Sequence, residues 1–374
     1  MSDHDHGHVL SAKSRDLERD TFIFIHLQTS KLFMGFNQKV TPVTSALIHR
    51  WVAFLIGDRG PPEPFWLCPV TLVSAGIMAY RMVASGPGID PDLSEPLPPG
   101  NYGWYFDAAC TNCWGPPNLA NSPFRLTTIE GRLEDMKEYL SEDFERHEFP
   151  PIANATAATA RDQGRCRFTG ATENTTVAWI IPPAVSWETQ DFGRQSDWDQ
   201  TPFVVTENLI TMQAILKTHF YGNNFTVDVD DNRRIIILRS MGDAQKLLPS
   251  HFPRQSHISE TSNAESVDHY LRLHCRYSLN AMLLNGDISE TYSNGLILQT
   301  MHELGVNHVG YHDYHESDMV PFDDPGWTTE LGREIMADVL RQRLALSRYR
   351  ADLEEEEADA EADAHSDDDD DELV

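Results

Sequence analysis

In the middle of the chain, short apolar runs alternate with turn residues in an order that limits the folds open to it. Two strand-like runs, Cys166–Thr169 and Val177–Ile181, come first, and helical spacing follows over Thr206–Thr218. The runs Phe225–Asp228 and Arg234–Leu238 then flank an Asp-Asp-Asn turn, which predicts a second β-hairpin. Strands on both sides of one helix favour an α+β fold.

The rest of the chain supplies further short elements. Thr21–Leu27 and Leu32–Phe36 have the composition of short strands. Thr41 suits the N-cap and Pro42 the first position of a helix that ends at Gly57. Beyond these, the patterns predict buried strands in Pro64–Tyr80, a long loop over Gly86–Pro123, and helices over Leu126–His147, Ala264–Leu284, Tyr292–Leu304 and from Thr329 onward.

Shifts in composition divide the chain into five segments. We expect a disordered N-terminus (1–20), an N-terminal α+β region (21–150), a central ββα domain (151–255), a helical C-terminal region (256–350) and a disordered acidic tail (351–374). No repeat with a period of about 20–50 residues is visible, which excludes repeat architectures.

The chain is strongly acidic. It has 58 acidic against 29 basic residues, a formal charge of −29. A protein that coats nucleic acid needs a surplus of Lys and Arg to neutralise phosphates, so the composition argues against that class. Hydrophobic residues make up 40% of the chain, with eight Trp and 17 Phe, which excludes wholesale disorder.

Several features predict an intracellular protein, in the cytoplasm or the nucleus. The first residues are polar and carry no apolar core of a secretory signal. Five cysteines are too few and too scattered for a secreted disulfide framework. The apolar stretch Pro64–Tyr80 is short and interrupted by Pro69 and Gly76, so no membrane span is expected.

The central domain carries an ordered set of landmark residues. They are Arg161, Asp162, Cys166, Thr169, Gly170, Ile180, Pro182, Asn208, Leu216, Phe220, Phe225 and Asp228. In this order and spacing they resemble the HNH endonuclease domain common in fungal proteins, over about 80 residues. The resemblance implies a ββα-metal finger, in which a hairpin and a helix hold one divalent cation, Mg²⁺ or Mn²⁺, on the scissile phosphate.

The resemblance also assigns chemical roles to positions. In that family a His at the end of a strand takes a proton from water, an Asn braces the loop, and a helix side chain binds the metal. These places fall on Trp179, Asn208 and Lys217, and the residue before the base, a carboxylate in some members, is Ala178. An indole offers only an N–H donor, and an ammonium group has no lone pair and repels a cation. The bracing Asn therefore survives, whereas the catalytic base and the metal ligands are lost.

These losses predict an inactive HNH-type protein, a pseudo-nuclease that acts as a binding or interaction module and needs no cofactor. One alternative is an active endonuclease that cleaves DNA with Mg²⁺ or Mn²⁺ and takes its metal ligands from the 302–315 histidine cluster or from His219. Because His219 lies two residues past Lys217, helical rotation turns it about 200° away, which disfavours this alternative. The other alternative is an acidic, chaperone-like binder of basic proteins.

Two charged segments indicate where partners would bind. Arg161, Arg165 and Arg167 cluster ahead of the hairpin and would contact a DNA phosphate weakly. The stretch Asp352–Glu372 contains fourteen carboxylates and no Lys or Arg, so we expect it to stay extended and to bind basic proteins or simply to aid solubility. Ser366 precedes a run of acids and is a candidate phosphorylation site.

Two groups of metal-ligating residue types lie outside the central domain. Cys110 and Cys113 form a lone CxxC pair, and because a zinc site needs four ligands, packing is favoured over zinc or redox chemistry. The second and denser group consists of four histidines. It lies near Gly and Pro residues that indicate a solvated loop, so these histidines are weak candidates for metal ligands. They are His302, His308, His312 and His315.

Overall fold

The computed structural model describes residues 7–56, 64–113, 127–140, 149–189, 200–253, 263–306 and 319–366. The helices are α1 Ala12–Asp16, α2 Ser45–Ile56, α3 Ile129–Leu140, α4 Ile152–Arg161, α5 Ala214–Tyr221, α6 Asn263–Leu283, α7 Ile288–Thr291, α8 Asn294–Glu303 and α9 Glu330–Ser366. The strands are β1 Thr21–Ile25, β2 Lys31–Phe36, β3 Trp66–Gly76, β4 Ala79–Ala84, β5 Gly100–Tyr105, β6 Thr175–Trp179, β7 Leu209–Gln213, β8 Phe225–Asp228 and β9 Arg234–Ile237. The expected α+β fold is confirmed.

The chain forms two compact units. One comprises residues 1–73 and 81–287, and the other comprises residues 74–80 and 288–374. The division therefore falls after residue 287, whereas the composition of the sequence suggested a boundary at 255/256. Helix α6 explains the difference, because it belongs to the hydrophobic core of the first unit.

A five-stranded sheet forms the N-terminal part of the first unit, in the order β2-β1-β5-β3-β4. Strand β5 lies at its centre, parallel to β1 and antiparallel to β3. This strand falls inside the predicted loop over Gly86–Pro123, so that prediction is wrong there. Its sequence, GNYGWY, lacks aliphatic alternation, and Gly103 is required by packing: a Cβ would lie 2.6 Å from the Tyr105 ring and 2.9 Å from the Met82 sulfur.

The start of α2 also differs from the prediction. The helix begins at Ser45, and the Thr44 hydroxyl accepts a hydrogen bond from the Leu47 N–H at 3.0 Å. Thr44 therefore caps the helix in place of Thr41. The Thr41 hydroxyl instead donates to the Ile237 carbonyl, which ties this loop to β9.

A disulfide joins Cys68 in β3 to Cys110, with 6.4 Å between their Cα atoms. The CxxC pair is thus divided: Cys110 is bonded to a residue 42 positions away, and Cys113 is a buried free thiol. Burial raises the pKa of Cys113 to about 12, so the thiol is protonated and unreactive near neutral pH. The spacing of the cysteines does not indicate that Cys68 pairs with Cys110.

Helix α6 connects the two hydrophobic clusters of the first unit. Leu271 and Ala281 lie in the cluster around β6, β7 and α5, and Leu279 and Leu283 lie in the cluster around the five-stranded sheet. Helix α6 therefore contributes side chains to both clusters. The region 21–150 and the region 151–255 share this support.

The C-terminal helix α9 is longer than expected. The predicted start near Thr329 is confirmed, but the helix continues through the acidic stretch to Ser366, so the expected disorder of residues 351–366 is wrong. Ala and Glu are strong helix formers, which accounts for the extension. Ser366, the candidate phosphorylation site, is its last residue, and residues 367–374 lie outside the described part of the chain. Over the residues that the structure describes, no helix combines the length and apolarity needed to cross a bilayer.

His274 is the most deeply buried titratable group of α6. Its Nε2 donates to the Phe220 carbonyl at 3.2 Å, its Nδ1 lies 3.0 Å from the Thr226 hydroxyl, and its ring stacks on Phe220 at 3.6 Å. Burial lowers the pKa of His274 from 6.5 to about 3, so the folded chain holds a neutral imidazole.

This buried histidine predicts a pH dependence of stability. Below pH 6.5 the unfolded chain binds a proton at His274 that the folded chain cannot bind, so stability falls as the pH falls toward about 3. Between about pH 7 and pH 5 the loss from this group is about 2 kcal/mol. Urea unfolding at both pH values should show this slope in the wild type and a smaller one in His274→Gln. Equal slopes in the two proteins would contradict the assignment.

Candidate functional site

The central domain has a ββα order. Strands β6 and β7 pair antiparallel, with Trp179 opposite Leu209 and Thr175 opposite Gln213, and α5 follows directly. The predicted helix over Thr206–Thr218 is therefore wrong in its first half, since Leu209–Gln213 is a strand. The apolar run LITM fits either element, and pairing with β6 decides the outcome. The hairpin predicted over Phe225–Asp228 and Arg234–Leu238 is confirmed as β8 and β9.

The two faces of the β6–β7 hairpin are covered by different helices. On one face Ala178, Ile210 and Met212 pack in the same cluster as Leu216 of α5. On the other face Trp179 and its neighbours pack against α4, which crosses the hairpin. Trp179, at the base position, and Ala178 before it thus point to opposite faces of the hairpin, as successive residues of a strand must.

Trp179 is completely buried at the end of β6. Its ring lies in a small cluster with Ala158 of α4 and Leu209 of β7. Its indole Nε1 has no hydrogen-bond partner among the residues that the structure describes. Ala158 is the buried residue of α4, and its small side chain leaves room for the indole. An indole in this position can donate a hydrogen bond but cannot accept a proton from water.

Asn208 precedes β7 and holds the loop that follows Trp179. Its Oδ1 accepts from the Ile181 N–H at 2.9 Å, and its Nδ2 donates to the Ile181 carbonyl at 2.7 Å and to the Phe203 carbonyl at 2.8 Å. The Asn208 carbonyl in turn accepts from the Ile180 N–H at 2.8 Å. Asn208 itself is fully buried, so these bonds satisfy backbone groups that water cannot reach.

Lys217 and His219 both lie inside α5, which continues to Tyr221. The Lys217 ammonium lies 5.4 Å from the centre of the Tyr221 ring, a cation–π distance. The His219 Nδ1 lies 3.0 Å from the Asn224 side-chain nitrogen, a hydrogen bond at the end of the helix. Because the helix does not end before His219, the geometry that would turn this residue toward the hairpin is absent.

Arg161 and Asp162 join the end of α4 to β7. The Arg161 guanidinium donates to both Asp162 oxygens, at 2.8 and 2.9 Å, and to the Leu209 carbonyl at 2.7 Å. The Asp162 carboxylate also accepts from the Thr211 N–H at 2.9 Å. The two leading landmarks of the resemblance thus form an internal clasp on the second strand.

The next landmarks form a tight turn, so the strand predicted over Cys166–Thr169 is wrong. The Cys166 N–H donates to the Ala171 carbonyl at 2.7 Å, and the Gly170 N–H donates to the Cys166 carbonyl at 2.8 Å. Gly170 has a φ of +74°, a left-handed conformation that favours glycine. The Thr169 hydroxyl donates to the Gln213 side chain at 3.0 Å and so fastens the turn to β7.

The three arginines proposed to contact DNA are used differently from one another. Arg161 is committed to the clasp, and its side chain is only 16% exposed. Arg167 is 16% exposed as well, with its Nε 3.8 Å from Asp162 and its guanidinium 5.4 Å from the centre of the Phe252 ring. Burial lowers the pKa of Arg167. Only Arg165 of the three is exposed, which leaves little positive surface for a phosphate.

The histidine cluster is only partly described. His302 is exposed in the last turn of α8, and His308, His312 and His315 lie outside the described residues. In the described part of the chain, no three His, Cys, Asp or Glu side chains are arranged to hold a metal ion.

Glu188 is a buried carboxylate that no sequence pattern indicated, and it lies outside the β6–β7 hairpin and α5. Glu188 ends the 3₁₀ turn Pro183–Glu188, with Arg132 Nε at 2.8 Å and the Tyr277 hydroxyl donating to it at 2.8 Å. Burial raises the pKa of Glu188, while Tyr277 and Arg132 lower it. These contacts join α3, the turn and α6. A single Glu in an apolar run gives no sequence signal of such a role.

The described residues around the β6–β7 hairpin are therefore joined by internal contacts. Polar side chains among them bind backbone groups, and the place beside the hairpin end is filled by an indole and an alanine. No known protein family, curated protein or solved structure matches the chain.

Asn208 provides a direct test of this framework. Asn208→Ala leaves buried backbone groups of Ile181 and Phe203 without partners, so we expect a loss of about 3 kcal/mol in the free energy of unfolding. Asn154→Ala is the control, because Asn154 makes one exposed bond to the Val204 carbonyl and should cost about 0.5 kcal/mol or less. Equal losses on urea unfolding would show that Asn208 does not brace the loop.

Proposed function

We propose that this chain is an HNH-type protein whose ββα finger has no hydrolytic chemistry and serves as the framework of a protein-interaction module. The observation that carries the proposal is the complete burial of Trp179, at the base position, beneath α4. Hydrolysis at this place would require a lone pair exposed to water. The indole offers neither a lone pair nor exposure.

The positions around Trp179 support the same conclusion. Ala178, which precedes it, has no atom that can bind a metal and packs toward α5. Lys217, at the helix position, is a cation and would repel Mg²⁺ or Mn²⁺. A phosphodiester placed against these side chains would meet no base and no charge compensation from a metal. The finger would therefore leave the bond intact.

The landmarks that remain all have structural uses in this chain. Arg161 and Asp162 hold β7, Thr169 and Gly170 shape the turn, and Asn208 holds the loop after β6. The positions that differ from the resemblance are those that would perform chemistry. This division between kept and lost residues supports a finger retained for its shape.

A protein partner fits the charge of the chain better than a nucleic acid. Arg161 and Arg167 face internal partners, and the formal charge is −29. Phosphates would be repelled by the surrounding carboxylates, since non-specific binding depends on Lys and Arg contacts. We therefore propose protein recognition as the activity, without a cofactor.

Plasmid nicking tests the loss of hydrolysis. We expect the wild-type chain to leave supercoiled plasmid intact with Mg²⁺ or Mn²⁺. Its rate of plasmid nicking should be no higher than that of the Trp179→Ala variant. Cleavage that stops with a chelator and is lost in His219→Ala would contradict the proposal, because His219 would then act as the substitute ligand. Cleavage that persists in both variants would contradict it as well and place the site elsewhere in the chain.

Binding of labelled duplex DNA tests the nature of the partner. We expect no saturable change in fluorescence anisotropy at low salt, where electrostatic binding is strongest. Binding that weakens steeply with salt and is reduced in Arg165→Ala would show that the exposed arginine contacts phosphate. That result would indicate a nucleic acid, and not a protein, as the partner. It would not affect the proposal that the chain has lost hydrolytic activity.

A further inference from the structure

Helix α9 has a buried side and an exposed side before its acidic stretch. Leu331, Ile335 and Val339 are buried and recur four residues apart, so they mark the buried side. Leu340 and Leu344 are 50% and 63% exposed. At about 100° per residue, Leu340 lies about 100° and Leu344 about 140° around the helix from Val339. The two leucines therefore project into solvent from a different side of the helix.

Two arginines lie on the same side of α9 as these leucines. Arg333 precedes Leu340 by seven residues and Arg348 follows Leu344 by four, and both spacings return to the same side of a helix. Both arginines are exposed. Between positions 333 and 348, the arc of about 100° that contains these four residues also holds one Ala and one Ser, and no Asp or Glu. We call Arg333, Leu340, Leu344 and Arg348 the leucine face.

Asp338, the acid nearest to Leu340 along the chain, is turned away from the leucine face. It lies about 160° around the helix from Leu340. Its carboxylate lies 3.2 Å from the Arg341 guanidinium and accepts a hydrogen bond from the Gln342 side chain at 2.8 Å. The positive charge of the leucine face is therefore not neutralised by this acid.

Two leucines four residues apart form a ridge on the surface of a helix. Such a ridge packs into the groove between the corresponding rows of side chains on a second helix. Protein interfaces have an apolar centre and a polar rim, and arginine is enriched in them. The leucine face has this arrangement, with its apolar pair at the centre and one arginine toward each end. A matching partner offers apolar side chains between two negative charges.

We propose that the leucine face binds an acidic amphipathic helix of a partner protein. Leu340 and Leu344 pack between apolar side chains of that helix, and Arg333 and Arg348 each bind a carboxylate. The two arginines are fifteen residues apart, about 22 Å along the axis, so the partner's acids lie about four turns apart with the apolar residues between them. The inference does not depend on the proposed function of the finger, because α9 belongs to the second unit.

A second copy of the leucine face is a poor partner. In an antiparallel pair Arg333 of one copy would face Arg348 of the other, and in a parallel pair each arginine would face its own counterpart. Like charges opposite one another destabilise a helix pair. The charges therefore favour a different, acidic chain.

An anionic bilayer also fits less well than a helix. Helix α9 continues to Ser366, and the sequence of residues 352–361 contains seven acids. If the leucine face lay flat on a bilayer, this continuation would lie within about a helix diameter of the headgroups, close to the Debye length of about 10 Å. Its acids would be repelled by anionic lipid. A partner helix of about four turns contacts only the part from Arg333 to Arg348.

Fluorescence anisotropy with the full chain tests the leucine face. The probe is a labelled synthetic peptide of about 21 residues, three heptads with Leu at the contact positions and Glu beside them. We expect saturable binding with a dissociation constant of about 100 µM or lower, and at least about tenfold weaker binding to the double variant Leu340→Ala, Leu344→Ala. The variant should keep the circular dichroism spectrum of the wild type, because both leucines are exposed. No saturable binding up to about 1 mM, or equal binding to the variant, would overturn the proposal.

A matched pair of leucines on α8 controls for the loss of exposed apolar surface. Leu296 and Leu298 are 40% and 52% exposed and belong to the same unit. The variant Leu296→Ala, Leu298→Ala should bind the peptide like the wild type. If it binds as weakly as the variant of the leucine face, the contact is not specific to that face and the proposal is wrong.

Arginine substitutions test the charge that the partner must carry. Arg333→Gln with Arg348→Gln should weaken binding at least about tenfold at low salt. Arg81→Gln with Arg165→Gln, at two exposed arginines outside α9, changes the net charge equally and should have no effect. Equal losses in the two variants would assign binding to net charge. A peptide with Gln in place of every Glu that still binds as tightly would show that charge plays no part. Both results contradict the proposal.

A proline control and two sedimentation measurements identify the other occupants. The same peptide with Pro at its centre cannot form a continuous helix and should bind at least about tenfold more weakly. Equal binding of this peptide would remove the requirement for a helix. Self-association that is lost in the variant Leu340→Ala, Leu344→Ala would assign the face to a second copy, and loss of sedimentation with phosphatidylserine vesicles in that variant would assign it to a membrane. Each of these three results contradicts the proposal.

Discussion

The buried carboxylate of Asp162 is the constraint on which the finger depends. Its side chain is fully enclosed and is held by two hydrogen bonds from Arg161 and one from the Thr211 backbone. A buried carboxylate without such partners would cost several kcal/mol, so the end of α4 and the middle of β7 must stay together. That attachment places α4 over the hairpin and thereby sets the surroundings of Trp179.

The unit formed by β6, β7 and α5 is also part of a larger core. Leu216 and Phe220 of α5 pack in one cluster with residues of α3, α6 and β8, and α6 in turn supports the five-stranded sheet. Loss of the ββα unit would remove much of the cluster that it shares with α3, α6 and β8. On the opposite face of the hairpin, the indole of Trp179 packs against Ala158 of α4 and Leu209, whereas an exposed histidine would not. The structural demand and the chemical demand on this position are therefore opposed.

Elements with strong local signals can be predicted from the sequence. Elements whose structure depends on contacts between residues far apart in the chain cannot. The hairpin β8–β9 and helix α6 were predicted because turn residues and long apolar spacing are local features. Strand β5 was missed, since its glycines are explained only by the side chains of neighbouring strands, and β7 was assigned to a helix because its partner β6 is 30 residues away. The positions of Trp179, Asn208 and Lys217 came from the spacing of landmarks. Their burial and contacts, like the Cys68–Cys110 pairing, required the fold.

The free energy of unfolding of Trp179→His distinguishes packing from chemistry at this position, because the substitution introduces the imidazole that hydrolysis would require. If Trp179 has replaced chemistry with packing, the variant should lose about 3 kcal/mol relative to the wild type, since a polar ring of smaller volume would occupy a dry space beneath Ala158. A variant as stable as the wild type would show that the site tolerates an imidazole. The account of a finger kept for its shape would then be contradicted.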